Sequence, residues 1–176
     1  MKTEFKAKFL QHVAKKRKEE GFTLIELLVV IIIIGILSAI ALPSFLNQAN
    51  KAKQSEAKQY IASIAKGQQA YYAEEGTFIT DIGNVDTLGL GIKTATDNYT
   101  YALESNVVGG NNGVNAYTEE AASGLRVYAG LIYLTEASGA LTSVTVMCEG
   151  DAAAAPSAPG TGKTACGETT SFTKPL

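Results

Sequence analysis

One carboxylate stands inside a long apolar stretch near the start of the chain. Glu26 is the only charged residue between Gly21 and Lys51. On insertion scales a charged side chain at the middle of a bilayer costs about 2.5–3.5 kcal/mol, so an ionisable residue there usually marks function. A carboxylate offers charge pairing with a cation, and we predict such a role for Glu26. A tolerated glutamate at a membrane interface is the alternative interpretation.

Two cysteines could form a covalent bond. Cys148 and Cys166 are the only cysteines, and both lie near the C-terminus. In an exported domain such a pair indicates a disulfide, which would contribute about 3 kcal/mol through loop closure. Two free thiols are the alternative. A metal site is not expected, because the two cysteines lack further ligands here. The enclosed residues 149–165 are rich in Ala, Pro and Gly, and such a segment cannot build a core.

The chain has few of the residues that common hydrolase mechanisms require. Its one histidine, His12, lies in a basic N-terminal segment. If that segment is removed, no Ser-His or Cys-His pair, imidazole metal ligand or histidine proton shuttle remains. We therefore expect no catalytic residues and no cofactor. A membrane-anchored enzyme that uses carboxylates alone is kept as an alternative.

The apolar stretch that holds Glu26 is long enough to cross a membrane. Residues 22–42 would form a helix about 30 Å long, at about 1.5 Å per residue. Ala39-Ile40-Ala41 also satisfies the cleavage pattern of a secretory signal, but the stretch is longer than the apolar core of a signal and continues into a second helical pattern. A plain membrane anchor is the other alternative, although it gives Glu26 no role.

Charge is distributed unevenly along the chain. Residues 1–21 contain seven Lys or Arg and three Glu, a net charge of +4, whereas the remainder holds eight basic and fourteen acidic residues, a net charge of −6. Positive charge near a membrane-spanning segment favours the cytoplasmic side. The asymmetry therefore predicts a cytoplasmic N-terminus and an exported body.

The junction between the basic and apolar segments carries a specific motif. Residues 21–30 read Gly-Phe-Thr-Leu-Ile-Glu-Leu-Leu-Val-Val. They closely resemble the processing site of type IV prepilins, and the resemblance extends over residues 15–50. It implies that a prepilin peptidase cuts between Gly21 and Phe22, so that residues 1–21 are a cleaved leader. It also implies N-methylation of the new amino group of Phe22.

The resemblance also implies roles for three residues of the apolar helix. Glu26 falls at the family's glutamate, which would pair in the filament with the Phe22 amine of its own or a neighbouring subunit. Such a partner is needed because an unpaired buried charge costs several kcal/mol. Gly35 and Pro43 fall where helices of this family lose structure in the pilus, since Gly weakens a helix and Pro removes a hydrogen bond. A simple bend at Pro43 is the alternative.

The second half of this helix is predicted to be amphipathic. Apolar residues recur at spacings of three and four, up to a helix stop at Gly76. Residues 22–75 would then form one helix about 80 Å long, at about 1.5 Å per residue. The predicted buried face consists of Ala49, Ala52, Ala57, Ile61, Ile64, Ala65, Gln68 and Tyr72.

The rest of the chain indicates an antiparallel sheet. Composition predicts strands at residues 99–103, 125–135 and 141–148, and loops at 76–98 and 104–124. The last two strands would form a hairpin. The fold class is therefore α+β: a long N-terminal helix packed on an antiparallel sheet, with a C-terminal disulfide-bounded loop. One face of the last strand would present Val144, Val146 and Cys148.

Two binding functions receive weaker support. Asp81, Asn84 and Asp86 could supply oxygen ligands to calcium, but their spacing is not that of an EF-hand, and a solvated loop is the favoured interpretation. Three lysines within residues 51–58 form a small basic patch of a kind that could meet DNA. The net charge of −6 beyond the basic segment argues against general nucleic-acid binding.

The sequence thus predicts a non-catalytic structural subunit of a type IV pilus. Its parts would be a leader at 1–21, a transmembrane and assembly helix at 22–46, an amphipathic helix at 47–76 and a globular head at 77–176. The resemblance implies a single-pass protein of the inner membrane that is then extracted into an extracellular filament of its own copies. A pseudopilin of a type II-like secretion system, or a minor pilin, is the alternative.

The same resemblance implies a cellular role and a set of partners. The roles are twitching motility, adhesion and DNA uptake. The partners are prepilin peptidase, an inner-membrane platform protein, assembly and retraction ATPases and an outer-membrane secretin. These expectations come from the family and not from any residue beyond the processing motif.

Overall fold

The computed structural model describes residues 22–151, 157–168 and 171–176. The chain separates into two compact units, with the boundary between Leu46 and Asn47. The elements in chain order are helix α1 (Leu24–Glu75), strands β1 (Tyr99–Ser105), β2 (Val114–Ala121), β3 (Tyr128–Ala137), β4 (Ala140–Glu149) and β5 (Lys174–Pro175), with 3-10 helices at Ile82–Leu88 and Cys166–Glu168.

The first part of α1 is apolar on every side. Every residue from Phe22 to Leu46 is exposed, and the segment is long and apolar enough to span a membrane by length and composition. The helix is continuous through Gly35 and Pro43. A uniformly apolar surface of this kind needs a partner other than water.

The second part of α1 packs on one face of the sheet. Ala57, Ile61 and Ile64 are fully buried there, and they share one apolar cluster with residues of the strands. The prediction that Ala52 belongs to the buried face is wrong, because Ala52 is exposed. It precedes the turn of the helix at which side chains first become buried, which is that of Ala57.

A buried amide fixes the chain where it leaves α1. The Gly76 N–H donates to the Tyr72 carbonyl at 2.9 Å, and Gly76 has a φ of 71°, which confirms the predicted helix stop. Gln68 then binds the returning backbone, because its Oε1 accepts from the Ile79 N–H at 2.9 Å and its Nε2 donates to the Ile79 carbonyl at 2.6 Å. The predicted loop beyond contains the 3-10 helix Ile82–Leu88.

The sheet is antiparallel throughout, in the order β1-β2-β3-β4-β5. Its central strand, β3, is buried on both faces. Tyr128 and Ile132 belong to the cluster under α1, whereas Ala129 and Leu131 belong to a second cluster on the opposite face. Phe172, which is fully buried, closes that second cluster. The predicted α+β class is therefore confirmed.

Strand β2 contradicts the prediction of a loop over residues 104–124. Its sequence contains Asn, Ala and Glu, which disfavour strands, so local composition gave little signal. Tertiary contacts fix the strand instead, since it pairs with β1 and β3 on its two sides. Asn115 Nδ2 donates to the Gly160 carbonyl at 2.9 Å, and Thr118 Oγ1 accepts from the Tyr128 N–H at 2.9 Å.

The β3–β4 hairpin is confirmed, but its bounds differ from the predicted ones. Strand β3 begins at Tyr128 rather than at residue 125, and pairing continues to Ala137 and Ala140. Only Ser138 and Gly139 remain as the turn, with φ values of 54° and 81°. Positive φ at both central residues is typical of the type I′ turn, whose twist matches that of the flanking strands.

Candidate functional site

The largest exposed apolar surface of the described residues lies on the first part of α1. Leu24 is 81% exposed and Ile40 is 73% exposed, and the neighbouring large side chains of the segment are exposed as well. Soluble monomers rarely expose contiguous apolar patches above a few hundred Å², and larger patches mark protein or membrane contacts. We therefore treat residues 22–46 as the candidate assembly segment.

The predicted functional carboxylate lies at the start of α1, where it makes local hydrogen bonds. Glu26 Oε2 accepts from the Thr23 N–H at 2.8 Å and from the Thr23 hydroxyl at 2.7 Å. The Glu26 N–H donates to Thr23 Oγ1 at 3.3 Å. This reciprocal arrangement is a capping box, in which an N-cap Thr and a Glu three residues later satisfy free backbone donors of the first turn.

The capping box adds Thr23 to the site, a residue that the sequence reasoning missed. The signal was visible, because Thr23-Leu24-Ile25-Glu26 has the Thr-x-x-Glu pattern ahead of an apolar run. Both described hydrogen bonds to the carboxylate end at Oε2. Oε1 can therefore accept a further donor, and the negative charge can act on a cation while the cap is intact.

The predicted processing site is only partly described by the structure. Phe22 directly precedes the capping box and is 78% exposed. Gly21, His12 and the rest of the predicted leader lie outside the described residues. The cleavage and methylation assignments therefore continue to rest on the sequence motif.

The predicted disulfide is confirmed. Cys148 of β4 is bonded to Cys166, with Cα atoms 5.4 Å apart, and both residues are buried. Val146 and Cys148 contact the same cluster, on the face of the sheet away from α1, and Val144 is half-buried. The bond thus attaches the C-terminal segment, defined here as residues 157–168 and 171–176, to the outer face of the sheet.

Buried asparagines hold the same segment at a second place. Asn106 Nδ2 donates to the Lys163 carbonyl at 2.9 Å, and the Lys163 N–H donates to Asn106 Oδ1 at 3.1 Å. The Thr164 N–H donates to Glu168 Oε2 at 2.9 Å, and this bond lowers the pKa of the Glu168 carboxyl. The segment is therefore held by hydrogen bonds as well as by the disulfide.

Removing the disulfide should lower the stability of the head. We expect the double variant Cys148→Ser, Cys166→Ser to lose about 3 kcal/mol, since the unfolded chain regains the freedom of the opened loop. Thermal unfolding of the detergent-solubilised full chain, followed by circular dichroism, should show a midpoint lower by roughly 10 °C. A reductant should lower the midpoint of the wild type and leave that of the variant unchanged. Equal midpoints for the two chains would contradict this prediction.

One of the weak calcium candidates, Asp81, has another role in the structure. Asp81 Oδ1 accepts from the Gly83 N–H at 2.9 Å, which caps the 3-10 helix Ile82–Leu88. The Asn84 N–H donates to the Asp81 carbonyl at 3.1 Å, and Asp86 is exposed. Within the described ranges, no group of three or more His, Cys, Asp or Glu side chains is placed to hold a metal ion. Asp81 is thus explained by capping.

Comparison with known protein families shows which family the chain belongs to. The profile of the family Type IV pilin-like G and H matches residues 54–171, which is more than half of the chain. The chain belongs to this type IV pilin-like family. A second profile, the prokaryotic N-terminal methylation motif, matches residues 16–42 of the pilin. The two matches together cover the processing motif, residues 22–42 of the apolar segment and most of the head, and they leave residues 43–53 uncovered.

Curated relatives include pilus proteins and a secretion protein. The type IV major pilin protein PilA of Myxococcus xanthus is 42% identical over 67 residues, which are 38% of this pilin and 30% of the relative. The type IV wide pilus major component PilA4 of Thermus thermophilus is 33% identical over 89 residues, 51% of this pilin and 66% of the relative. The type II secretion system core protein G of Aeromonas hydrophila is 32% identical over 74 residues, 42% and 52% of the two chains.

The similarity to these relatives is partial. The pilin spans less than two thirds of the length of each of the three. No solved structure matches it significantly.

Proposed function

We propose that this pilin is the structural subunit of a type IV pilus and polymerises through the apolar part of α1. The observation that carries the proposal is the exposure of residues 22–46 on every side, with Glu26 as the only charge among them. Hydrocarbon would cover this surface before assembly, and other copies of the same helix would cover it in the filament. The protein has no catalytic role in this proposal.

Processing would release the subunit for assembly. The basic residues 1–21 would remain on the cytoplasmic side of the inner membrane, and prepilin peptidase would cut between Gly21 and Phe22 and methylate the new amine. The match of the methylation-motif profile to residues 16–42 supports this step. The proposed cut lies just before the capping box, so the mature helix would keep its own N-cap at Thr23.

Glu26 would then set the position of each helix in the bundle. Its charge attracts the Phe22 amine of its own or a neighbouring subunit, and apolar surroundings strengthen that attraction. The positive end of the helix dipole favours a carboxylate at the same place. Because the capping box leaves Oε1 open, the two interactions are compatible.

Gly35 and Pro43 would act in the filament rather than in the isolated chain. A Cβ added at Gly35 would meet nothing within 4 Å, so packing in the described structure does not require glycine there. Its remaining effect is to weaken the helix by about 0.5–1 kcal/mol relative to alanine. We propose that this weakness, together with Pro43, permits loss of helix between the two positions when the bundle forms.

The cellular partners and roles extend the proposal to the family's machinery. They are prepilin peptidase, a platform protein, assembly and retraction ATPases and a secretin, in the service of twitching motility, adhesion or DNA uptake. The runner-up is a pseudopilin of a type II-like system or a minor pilin, which the similarity to the Aeromonas hydrophila core protein G favours. The C-terminal disulfide favours the pilus subunit, because the resemblance implies that such a bond braces the outer surface of pilins, whereas secretion pseudopilins often rely on calcium instead.

One measurement separates these functions. Filaments would be sheared from intact cells, and the released protein would be examined by intact mass and N-terminal sequencing. We expect abundant protein that begins at N-methylated Phe22 and is lighter by two hydrogens because of the disulfide. Processed protein confined to the membrane fraction would instead indicate a pseudopilin or a minor pilin.

A further inference from the structure

A basic cleft lies beside α1 on the head. It has a volume of about 410 Å³ and is lined by Lys51, Lys58, Arg126 and Glu149, with Gln54 and Ser55. Three cations and one carboxylate give this cleft a net charge of +2.

The carboxylate of the basic cleft is already shared by two cations. Glu149 Oε1 lies 2.6 Å from Arg126 Nη1, and its Oε2 lies 3.6 Å from Lys58 Nζ. Lys58 Nζ also stands 5.3 Å from the centre of the Tyr128 ring. These contacts hold Arg126 and Lys58 in place, while Lys51 is exposed at the rim. Two positive charges of the basic cleft are therefore not neutralised by Glu149.

An acidic cleft lies beside the same turns of α1. It has a volume of about 460 Å³, and Glu56, Asp97 and Lys93 line it together with Tyr60. A smaller cleft of about 240 Å³ shares Asp97 and adds Glu120. The larger cleft alone has a net charge of −1, and Glu120 brings the combined surface, called the acidic cleft below, to a net charge of −2. This sign is opposite to that of the basic cleft.

Helix geometry places the two clefts on opposite flanks. Glu56 and Lys58 are two residues apart, so their side chains leave α1 about 200° apart and only about 3 Å apart along the axis. Ala57 between them is fully buried against the sheet. Each cleft therefore borders one side of the same buried stripe.

We propose that the acidic cleft of one subunit docks against the basic cleft of the next. The partner is a second copy of this chain, and the inference rests on the proposed function. Complementary patches on opposite flanks form a heterologous contact, which leaves one patch free at each end and repeats into an open helical array. A small anion would neutralise the charge of the basic cleft alone, whereas a second copy of the chain would neutralise the charges of both clefts.

Charge reversal tests the contact. Lys51→Glu and Asp97→Lys each change an exposed residue, so neither should disturb the fold. Like charges facing across an interface are strongly unfavourable, and each variant should lower the yield of sheared filaments about tenfold. The matched controls are Lys66→Glu and Glu74→Lys, which are exposed on α1 outside both clefts and should leave the yield unchanged.

Cross-linking tests the geometry of the contact. Cells would co-express Lys51→Cys and Asp97→Cys chains, and their filaments would be treated with a short bismaleimide. A heterologous contact predicts cross-linked dimers in the mixture and none with either variant alone. Unchanged filament yield in the charge-reversed variants, together with no cross-linked dimers from the mixed cysteine variants, would overturn the inference and leave the proposed function intact. Absence of any filament from the wild type would overturn both.

Discussion

Glu26→Ala should insert into the membrane normally and build no filaments. The variant removes one partner of the proposed charge pair, which would become buried when helices bundle, and the orphaned Phe22 amine would cost about 3–5 kcal/mol per subunit. A loss of that size lowers subunit association by roughly a hundredfold or more. The measurement is the amount of pilin in the sheared fraction relative to the membrane fraction. A wild-type amount of pili in Glu26→Ala would refute the proposed charge pair between Glu26 and the Phe22 amine.

The capping box makes a sharper version of this experiment possible. Glu26→Gln keeps an oxygen acceptor for the Thr23 N–H, since Gln also serves in capping boxes, but it removes the charge. Thr23→Ala does the reverse, because it removes the hydroxyl and keeps the carboxylate, at about 1 kcal/mol of helix stability. Charge pairing predicts failed assembly for Glu26→Gln and retained filaments for Thr23→Ala. The opposite pattern would show that Glu26 serves only to cap the helix.

Gly21→Leu should accumulate in the membrane at full length and form no filaments. The resemblance to prepilins places Gly21 beside the bond that the peptidase cuts, and a bulky side chain there should block nearly all cleavage. Immunoblots of membrane fractions would reveal the uncut form by its mass. Gly21→Ala, a smaller change, should be processed more slowly but still be processed. Normal processing of Gly21→Leu would refute the assigned cleavage site.

The two variants should fail for related reasons that can be told apart. Uncut protein has no Phe22 amine, so Glu26 has no cation to pair with even though its carboxylate is present. Glu26→Ala, in contrast, should have the mass of mature protein and a methylated Phe22. A membrane-bound, processed Glu26→Ala chain beside an unprocessed Gly21→Leu chain would therefore place cleavage before charge pairing.

The helix and the disulfide could be predicted because their signals are local. The start of α1, its stop at Gly76 and its burial at Ile61 and Ile64 follow from periodicity and from a glycine that adopts positive φ. The disulfide follows from the presence of only two cysteines and from the predicted export of the head. Such features need no knowledge of what lies across the fold.

The missed features depend on partners that are distant in sequence. Strand β2 has weak propensity and exists because two strands flank it, and the Asn106–Lys163 hydrogen bonds join residues 57 positions apart. The two clefts likewise combine helix residues with Arg126 or Asp97 from elsewhere in the chain. Thr23 is a different case. Its Thr-x-x-Glu pattern is local and could have been recognised from the sequence as a capping box with Glu26.

The covering of β3 by the C-terminal segment sets an order for maturation. Leu131 and Ala129 stay open to water on the outer face until Phe172 arrives, because that residue closes their cluster. If the N-terminus stays on the cytoplasmic side, as proposed, the C-terminal end is the last part of the chain to be exported, so the head cannot be completed until nearly all of it has crossed the membrane. We expect partly exported subunits to be prone to aggregation until Cys148 and Cys166 are oxidised. Periplasmic redox conditions would then determine what fraction of the subunits can be polymerised.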